Sequence, residues 1–402
     1  MKKILLVFPP VKGYLYLPTS LQKIATYHLQ KGDKVIYKNS NPSPKIIKTK
    51  FYPDIIYVSS VFTYYGRETC NTINLYKKQY PDSEIKVGGI FPTLMPDYVE
   101  QRTGIKPHLG TWDEIDKLSL NYSLFPDTMQ AQVITTRGCI RKCKFCAVKT
   151  LEPKFKILEG WKSEFLEIPK KIKNFSKKNF RVLISDNNFL ASPFDHQTEV
   201  INLAAKLKFD LIFQQALDFR LFNKNEAKLL SKLGKTSVII FAYDGPQQNE
   251  YFQKGMKLVR KYKLAQHTRL YMLYNFEDKP ECIWNRMQVV MNEKSRIFML
   301  PIRFEPLDTL TRNNYVNKYW TASMLKNFKA IISHWAYSPK GSLVRNNIPK
   351  DAFGRNADEF YELLNTPFQD HKIFKMYKDS ERVRKSGFNF YQKEKGENYA
   401  KE

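Results

Sequence analysis

The chain has 402 residues, and its 66 lysines and arginines outnumber its 39 aspartates and glutamates, so the formal net charge is +27. Hydrophobic residues make up 43% of the sequence, which excludes wholesale disorder and allows two or three domains. Five cysteines are too few for a disulfide scaffold. The sequence contains no apolar run of membrane-spanning length. Its first apolar run is short and stops at Pro9. We therefore expect a cytoplasmic protein without membrane contact.

Short apolar runs alternate with helical patterns over residues 1–110. The predicted strands cover residues 4–8, 34–37, 54–60 and 85–89, and the predicted helices begin near Thr19 and Arg67. Strands that alternate with helices predict a parallel sheet with helices on both faces. We expect a doubly wound, Rossmann-like domain over residues 1–110, followed by a linker over 111–130.

A second alternating series fills residues 131–310. Its six predicted strands cover residues 132–135, 180–185, 211–215, 237–243, 269–274 and 297–304. Six βα units in a row predict a partial (β/α)6 barrel of the TIM type, with functional residues where the strands end.

A different pattern begins near residue 311. Apolar residues then recur at helical spacing, and the repeat ends at residues 338–341; they are Val316, Trp320, Met324, Phe328, Ile331 and Trp335. This pattern predicts a small helical C-terminal region over residues 311–402.

Three cysteines, Cys139, Cys143 and Cys146, follow the first strand of this second series at the spacing C-x3-C-x2-C. Three close thiolates can hold a soft metal centre, and an iron–sulfur cluster is the natural candidate. With three local ligands, a [4Fe–4S] cluster keeps one iron open to a small molecule. Structural zinc is the alternative. It would want a fourth ligand at short spacing, whereas the next histidine is His196.

With Phe145 directly before the third cysteine, the motif resembles the signature of radical S-adenosylmethionine (radical SAM) enzymes. In that family the open iron binds SAM, and an electron from the cluster cleaves SAM to give a 5′-deoxyadenosyl radical. A barrel of six βα units is typical of the family. The resemblance implies an enzyme that abstracts hydrogen from an unidentified substrate, with flavodoxin or ferredoxin as electron donor.

The N-terminal part resembles the cobalamin-binding branch of the same family. The run from Val87 to Thr93 is similar to the Gly-Gly-x-His-Pro-Thr segment of that branch, with Phe91 where histidine is common. The Asp-x-His-x-x-Gly motif that ligates cobalt in many cobalamin proteins is absent from the sequence. The resemblance implies a cobalamin loop at Gly88, Gly89 and Thr93, and methylation or rearrangement as the reaction. A structural lid or a substrate platform is the alternative role for this domain.

The family holds SAM with residues near the ends of the barrel strands. The resemblance implies these cofactor-binding residues: Phe145, Ser185, Asp186, Asn187, Gln215, Arg220, Tyr243 and Asp244. Asp186 and Asn187 could accept hydrogen bonds from the amino group of SAM, or form an ordinary turn. Arg220 could pair with the SAM carboxylate, or with Asp218.

The positive charge is concentrated in residues 138–181, which hold 13 lysines and arginines against four glutamates. This stretch predicts contact with nucleic acid, or a solvated helix face. Two other functions therefore stay open: radical SAM modification of a nucleic acid, and an iron–sulfur module that senses redox state. We expect Cys70 and Cys282 to be small buried residues and His28 to be a packed, hydrogen-bonded histidine.

Overall fold

A computed structural model describes residues 1–11, 18–39, 52–124, 131–172, 180–234, 236–295, 297–336, 353–367 and 370. The chain divides into two compact units. The first comprises Met1–Ala242, Gln253–His267 and Phe304–Tyr315, and the second comprises Tyr243–Phe252, Thr268–Arg303 and Val316–Glu402. The domain boundaries at residues 110, 130 and 310 stay predictions.

Strands and helices alternate along the chain. The strands are β1 (Lys3–Phe8), β2 (Lys34–Asn39), β3 (Ile55–Ser60), β4 (Glu84–Gly89), β5 (Ala131–Val133), β6 (Thr136–Arg137), β7 (Lys156–Ile157), β8 (Arg181–Ile184), β9 (Asp210–Asp218), β10 (Val238–Ala242), β11 (Thr268–Tyr274) and β12 (Phe298–Arg303). The helices are α1 (Thr19–Gln30), α2 (Gly66–Gln79), α3 (Ile90–Leu94), α4 (Pro96–Thr103), α5 (Asp113–Asp116), α6 (Val148–Leu151), α7 (Trp161–Lys171), α8 (Phe194–Leu207), α9 (Lys224–Leu230), α10 (Asn249–Lys261), α11 (Pro280–Met291), α12 (Ala322–Ala336) and α13 (Ala357–Asn365).

The first sheet is parallel, with the strand order β2-β1-β3-β4. Alternate residues of its strands point to opposite faces. On one face, Leu6 packs in a buried cluster with Ile24 of α1. On the other, Leu5 packs in a second cluster with Ile73 of α2. Both faces of the sheet are therefore covered, as the alternating pattern predicted, and its strands read as continuous apolar runs for this reason.

The first unit contains a second parallel series, in which β5 pairs with β8, β8 with β9, and β9 with β10. In the second unit, β11 and β12 are also parallel. A mixed α/β class with parallel sheets is thus confirmed. The arrangement of all six strands as a partial (β/α)6 barrel stays a prediction.

Two segments differ from the predicted pattern. The helix expected over Val316–Trp335 begins only at Ala322, because the side chain of Asn317 accepts a hydrogen bond from the N–H of Tyr319 at 2.9 Å and turns the chain. Residues 338–341 and the side chain of Trp335 lie outside the described part. In the expected linker, residues 111–124 include α5 and bury Ile115, and residues 125–130 are not described.

Candidate functional site

The cysteine motif begins at a glycine turn. The short antiparallel ribbon of β6 and β7 pairs Thr136 with Ile157, and Gly138 then leaves it with a φ of +76°. A Cβ at Gly138 would overlap the carbonyl oxygen of Lys154. Only glycine fits this turn without moving the backbone, so the local fold itself requires the glycine before the first cysteine.

All three motif cysteines, Cys139, Cys143 and Cys146, are half-buried and outside any disulfide. Cys139 Sγ accepts a hydrogen bond from the backbone N–H of Arg141 at 3.3 Å and another from Nδ2 of Asn188 at 3.6 Å. Hydrogen-bond donors beside a sulfur are outer contacts of the kind that orient a metal ligand.

A pair of arginines flanks the same loop. Asp218 accepts from Arg220 Nε at 2.6 Å and from Arg141 Nε at 2.9 Å. Burial lowers the pKa of Arg220, but its hydrogen bonds to Asp218 and Cys143 raise that pKa overall. Of the two expected partners of Arg220, the SAM carboxylate and Asp218, the structure shows the ion pair with Asp218. The charge of Arg220 also lies next to a motif cysteine.

The residues fit an iron–sulfur cluster by their chemistry. They supply three cysteine thiols from one loop, none of them in a disulfide, with amide and guanidinium donors beside two of them. Within the described residues, no three His, Cys, Asp or Glu side chains are grouped so as to share one metal ion. A [4Fe–4S] cluster does not require such a group, since each cysteine binds a different iron.

A cavity of about 520 Å³ lies within the first unit, where the first sheet ends. It is lined by the start of α1 and by the carboxyl ends of β3 and β4, and ligands of doubly wound sheets bind at the carboxyl ends of the strands. Polar residues from the second series of strands complete the wall, namely Gln132, Ser185, Asn187, Gln214 and Gln215. The cavity thus joins the ends of both parallel series.

The predicted cobalamin loop lines this cavity through Gly88, Gly89 and Thr93. Gly89 has a φ of +102°, and a Cβ there would overlap the carbonyl oxygen of Ser60. Thr93 Oγ1 donates to the carbonyl oxygen of Gly89 at 2.7 Å and accepts from the N–H of Gly110 at 3.1 Å. These contacts hold a backbone wall without large side chains, which a flat ligand can approach closely.

Phe91, which stands where histidine is common in the cobalamin branch, is a core residue. Its side chain is 0% exposed and packs with Tyr98 at 6.2 Å between ring centroids. It therefore presents no group to the cavity.

Asp186 takes a different role from the one expected. Its carboxylate is 2% exposed and accepts from the N–H of Thr135 at 2.6 Å, from Thr135 Oγ1 at 2.5 Å and from Thr136 Oγ1 at 2.9 Å. Burial raises its pKa to about 6, although these hydrogen bonds lower it. Its oxygens face the segment that leads into the cysteine loop, so the structure makes Asp186 a support of that segment rather than an acceptor for SAM.

The other candidates are divided between the cavity and the protein interior. Ser185, Asn187 and Gln215 line the cavity. Phe145 is half-buried in the cysteine loop and is not among the described residues of the cavity wall. The structure thus brings three of the expected SAM residues to one surface.

Tyr243 and Asp244 belong to the second unit. Tyr243 is buried, stacks on Phe252 with 4.6 Å between ring centroids, and donates from its hydroxyl to Asn249 Oδ1 at 2.9 Å. Asp244 Oδ1 accepts from the N–H of Leu273 at 3.1 Å. Both residues support the packing of their own unit, and a role of either in SAM binding stays a prediction.

A buried chain of charges along the cavity wall was not found by sequence reasoning. Lys23 of α1 donates to the carbonyl oxygen of Asp116 at 2.6 Å. Arg137 binds the Asp116 carboxylate through Nη2 at 2.8 Å and through Nε at 3.3 Å. Its Nη1 reaches Glu152 Oε1 at 2.8 Å. These residues are far apart in sequence and share no spacing signature. The one available signal in the sequence was that Arg137, next to the cysteine motif, has acidic residues before and after it in the chain.

Glu164 of α7 lies beside this chain of charges. It accepts from the N–H of Leu120 at 3.2 Å, and burial raises its pKa to about 7 despite the nearby charge of Lys23. This carboxyl group therefore titrates near neutral pH.

Three isolated residues were expected to be structural. His28 is buried, with Nδ1 at 2.8 Å from Asp33 and Nε2 at 3.0 Å from Tyr57, as expected for a packed histidine. Cys70 is also buried, and burial raises its pKa to about 11. Cys282, in contrast, is half-buried, so the expectation of a buried cysteine was wrong there.

The basic stretch 138–181 is partly neutralised where the structure describes it. Four of its cations pair with carboxylates: Arg141 with Asp218, Lys156 with Asp113, Lys162 with Glu199, and Lys171 with Glu167. Residues 173–179 lie outside the described part. Nucleic acid as a partner stays a prediction. None of the described helices combines the length and apolar character that crossing a membrane requires.

Comparison with known proteins agrees with this architecture at the level of the fold. No protein-family model matches the chain, and no curated protein matches its sequence significantly. Among solved structures, the chain has the fold of a radical SAM methyltransferase. That structure is TsrM from Kitasatospora setae with tryptophan substrate and the SAM analogue aza-SAM bound; the TM-score is 0.61 and the identity 13%, over 77% of this chain and 75% of that one.

Proposed function

We propose that the chain is a radical SAM enzyme that holds a [4Fe–4S] cluster on Cys139, Cys143 and Cys146. The observation that carries this proposal is the loop of three cysteine thiols outside any disulfide, with donors beside two of them, that follows the first strand of the second parallel series. The fold shared with a radical SAM methyltransferase supports it. An external one-electron reductant, of the flavodoxin or ferredoxin kind, completes the system.

When bound, the cluster supplies the electron that cleaves SAM to methionine and a 5′-deoxyadenosyl radical, which takes hydrogen from the substrate. The chain's own residues prepare the place for this reaction. Gly138 sets the turn into the cysteine loop, Asp186 fixes the segment before it, and Asp218 holds Arg220 next to Cys143. Ser185, Asn187 and Gln215 offer polar groups to SAM on the cavity wall.

We also propose that the cavity takes a cobalamin on the side formed by the first sheet. Gly88, Gly89 and Thr93 supply a wall of backbone and one small hydroxyl side chain there. Since Phe91 is turned into the core, it offers the cobalt no ligand. The substrate is unidentified, and the fold of a methyltransferase favours methyl transfer over rearrangement.

The test is anaerobic. The protein is reconstituted with iron and sulfide, mixed with SAM and dithionite, and assayed for 5′-deoxyadenosine. We expect the wild type to form it and Cys143→Ala to lose both the cluster and the product. Cys282→Ala, which removes a half-buried thiol of the second unit, should behave like the wild type.

Two results would contradict the proposal. Zinc in place of iron after anaerobic preparation would show that the three cysteines hold zinc and not an iron–sulfur cluster. A wild-type protein that binds the cluster but not SAM would leave an iron–sulfur module that senses redox state.

A further inference from the structure

Glu152 joins the cysteine loop to the cavity wall. The residue follows α6, its side chain is 13% exposed, and it lines the cavity. Its Oε2 accepts from the N–H of Gly138 at 2.7 Å and from Nδ2 of Asn187 at 2.6 Å. One carboxylate oxygen thus binds both the turn before Cys139 and a side chain at the end of β8.

The contact between Glu152 and Asn187 fixes the orientation of an amide. An ionised carboxylate only accepts hydrogen bonds, so the NH₂ end of the Asn187 side chain must face Glu152. The other end, Oδ1, is then the part of the amide that a ligand can reach. Asn187 itself lines the cavity. At this point the wall therefore presents an acceptor, and it suits a ligand that carries a donor.

The position of Glu152 is in turn fixed by Arg137. Arg137 Nη1 donates to Glu152 Oε1 at 2.8 Å, while its other two nitrogens bind the carboxylate of Asp116. The guanidinium offsets the negative charge of Glu152 and occupies the oxygen that faces away from Asn187. Three donors hold the two oxygens of Glu152, so the carboxylate is a rigid platform for the amide.

We propose that Glu152 is a positioning residue for the recognition of SAM. It holds the Asn187 amide so that Oδ1 accepts a hydrogen bond from the amino group of the methionine moiety. Without Glu152, the amide is free to rotate and present its NH₂ end, which offers the amino group a second donor instead of an acceptor. This inference rests on the proposed function and extends it by naming the residue that orients the acceptor for the amino end of SAM.

The test compares two ligands of the cluster-loaded protein. Dissociation constants are measured under anaerobic conditions for SAM and for the SAM analogue that lacks the amino group, and the iron content of every variant is determined. The dissociation constant of the analogue divided by that of SAM reports recognition of the amino group. We expect Asn187→Ala and Glu152→Ala each to lower this ratio about tenfold from the wild-type value, which is the effect expected for losing one hydrogen bond.

The double variant separates positioning from direct contact. If Glu152 acts through Asn187, adding Glu152→Ala to Asn187→Ala should leave the ratio unchanged. Glu199→Ala removes an exposed carboxylate that pairs with Lys162 and should keep the wild-type ratio.

Several outcomes would overturn the inference. Equal weakening of the binding of both ligands by Glu152→Ala would show a purely structural role, and a further loss in the double variant would show direct binding of the amino group by Glu152. If Glu152→Ala failed to retain iron, Asn187→Ala alone would decide, because a wild-type ratio in that variant contradicts the inference. Failure of the wild type to bind SAM would be seen first, and it would remove the proposed function as well.

Discussion

The ring of Phe91 lies so close to Gly66 that a Cβ at Gly66 would come within 2.7 Å of Phe91 Cε2. The same Cβ would lie 2.9 Å from Leu310 Cδ2. Gly66 is the first residue of α2, and Phe91 is fully buried in the core beneath it. The helix therefore begins with glycine to make room for the ring.

This contact makes Gly66→Ala destabilising. Alanine normally stabilises a helix by about 1 kcal/mol relative to glycine, but overpacking a buried site costs about 1–3 kcal/mol. We expect a net loss of up to about 2 kcal/mol in the free energy of unfolding, measured by urea denaturation. In a Phe91→Leu background the loss should be smaller. A Gly66→Ala protein as stable as the wild type would show that the ring can move aside.

A substitution at Gly88 can test the cobalamin proposal without disturbing the fold. Its φ is ordinary, and an added Cβ would meet its nearest neighbour, the carbonyl oxygen of His108, at 3.7 Å. Valine should therefore be tolerated in β4, while its side chain narrows the cavity that Gly88 lines. We expect Gly88→Val to keep the wild-type circular dichroism spectrum and to lose binding of added hydroxocobalamin, measured by absorbance after gel filtration.

A control for this experiment is Ile36→Val in β2, a half-buried residue away from the cavity wall. It should bind hydroxocobalamin like the wild type. If Gly88→Val also bound it normally, the cobalamin site would have to lie elsewhere.

Arg220 should raise the reduction potential of the cluster. A positive charge and a hydrogen bond next to a thiolate stabilise the reduced, more negative state. We expect Arg220→Gln to lower the midpoint potential by on the order of 50 mV, measured by an anaerobic redox titration followed by electron paramagnetic resonance. Lys206→Gln, which removes an exposed charge from α8, should have little effect. An unchanged potential in Arg220→Gln would mean that its contact with Cys143 is lost when the cluster is bound.

Glu164 should make the protein less stable as the pH rises toward neutrality. Burial raises its pKa from the ordinary 4.5 to about 7, so the folded chain binds this proton more tightly than the unfolded chain. The stabilising contribution is complete below about pH 4.5 and is lost as the pH rises through about 7. We expect the decrease in the free energy of unfolding between pH 5 and pH 8 to be smaller in Glu164→Gln than in the wild type by about 1–3 kcal/mol.

The measurement is the free energy of unfolding of both proteins at the two pH values. Asp186, whose pKa is also raised by burial, titrates in both, so the difference between the two proteins isolates Glu164. Parallel pH profiles would show that Glu164 is solvated in the folded state.

The sequence was informative wherever a local pattern carries the structure. The strand at Lys3–Phe8 and the helix at Gly66–Gln79 were predicted because the spacing of apolar residues, and the Gly or Pro that ends an element, are local signals. The cysteine loop was found because its spacing is itself the signature. The helix over Val316–Trp335 was placed too early, because the apolar period continues through a turn that the side chain of Asn317 enforces.

The polar wall of the site was much harder to predict. Asp186 was expected at the ligand, yet its partners Thr135 and Thr136 lie some fifty positions earlier in the chain. Glu152 and Asp116 went unnoticed for the same reason, since only the tertiary fold brings them to Arg137. Pairing between distant polar residues leaves no periodicity in a single sequence.

The bond between Lys23 and Asp116 also limits how this chain can be recombined with others. Lys23 is 2% exposed and Asp116 5%, and Arg137 depends on the same aspartate. A chimera that took its first 110 residues from another protein, without a lysine at this position, would leave two carboxylates, Asp116 and Glu152, with Arg137 as the one cation between them in this chain of charges. Any exchange of the N-terminal segment must therefore carry its own cation to this point, or replace the whole chain of charges at once.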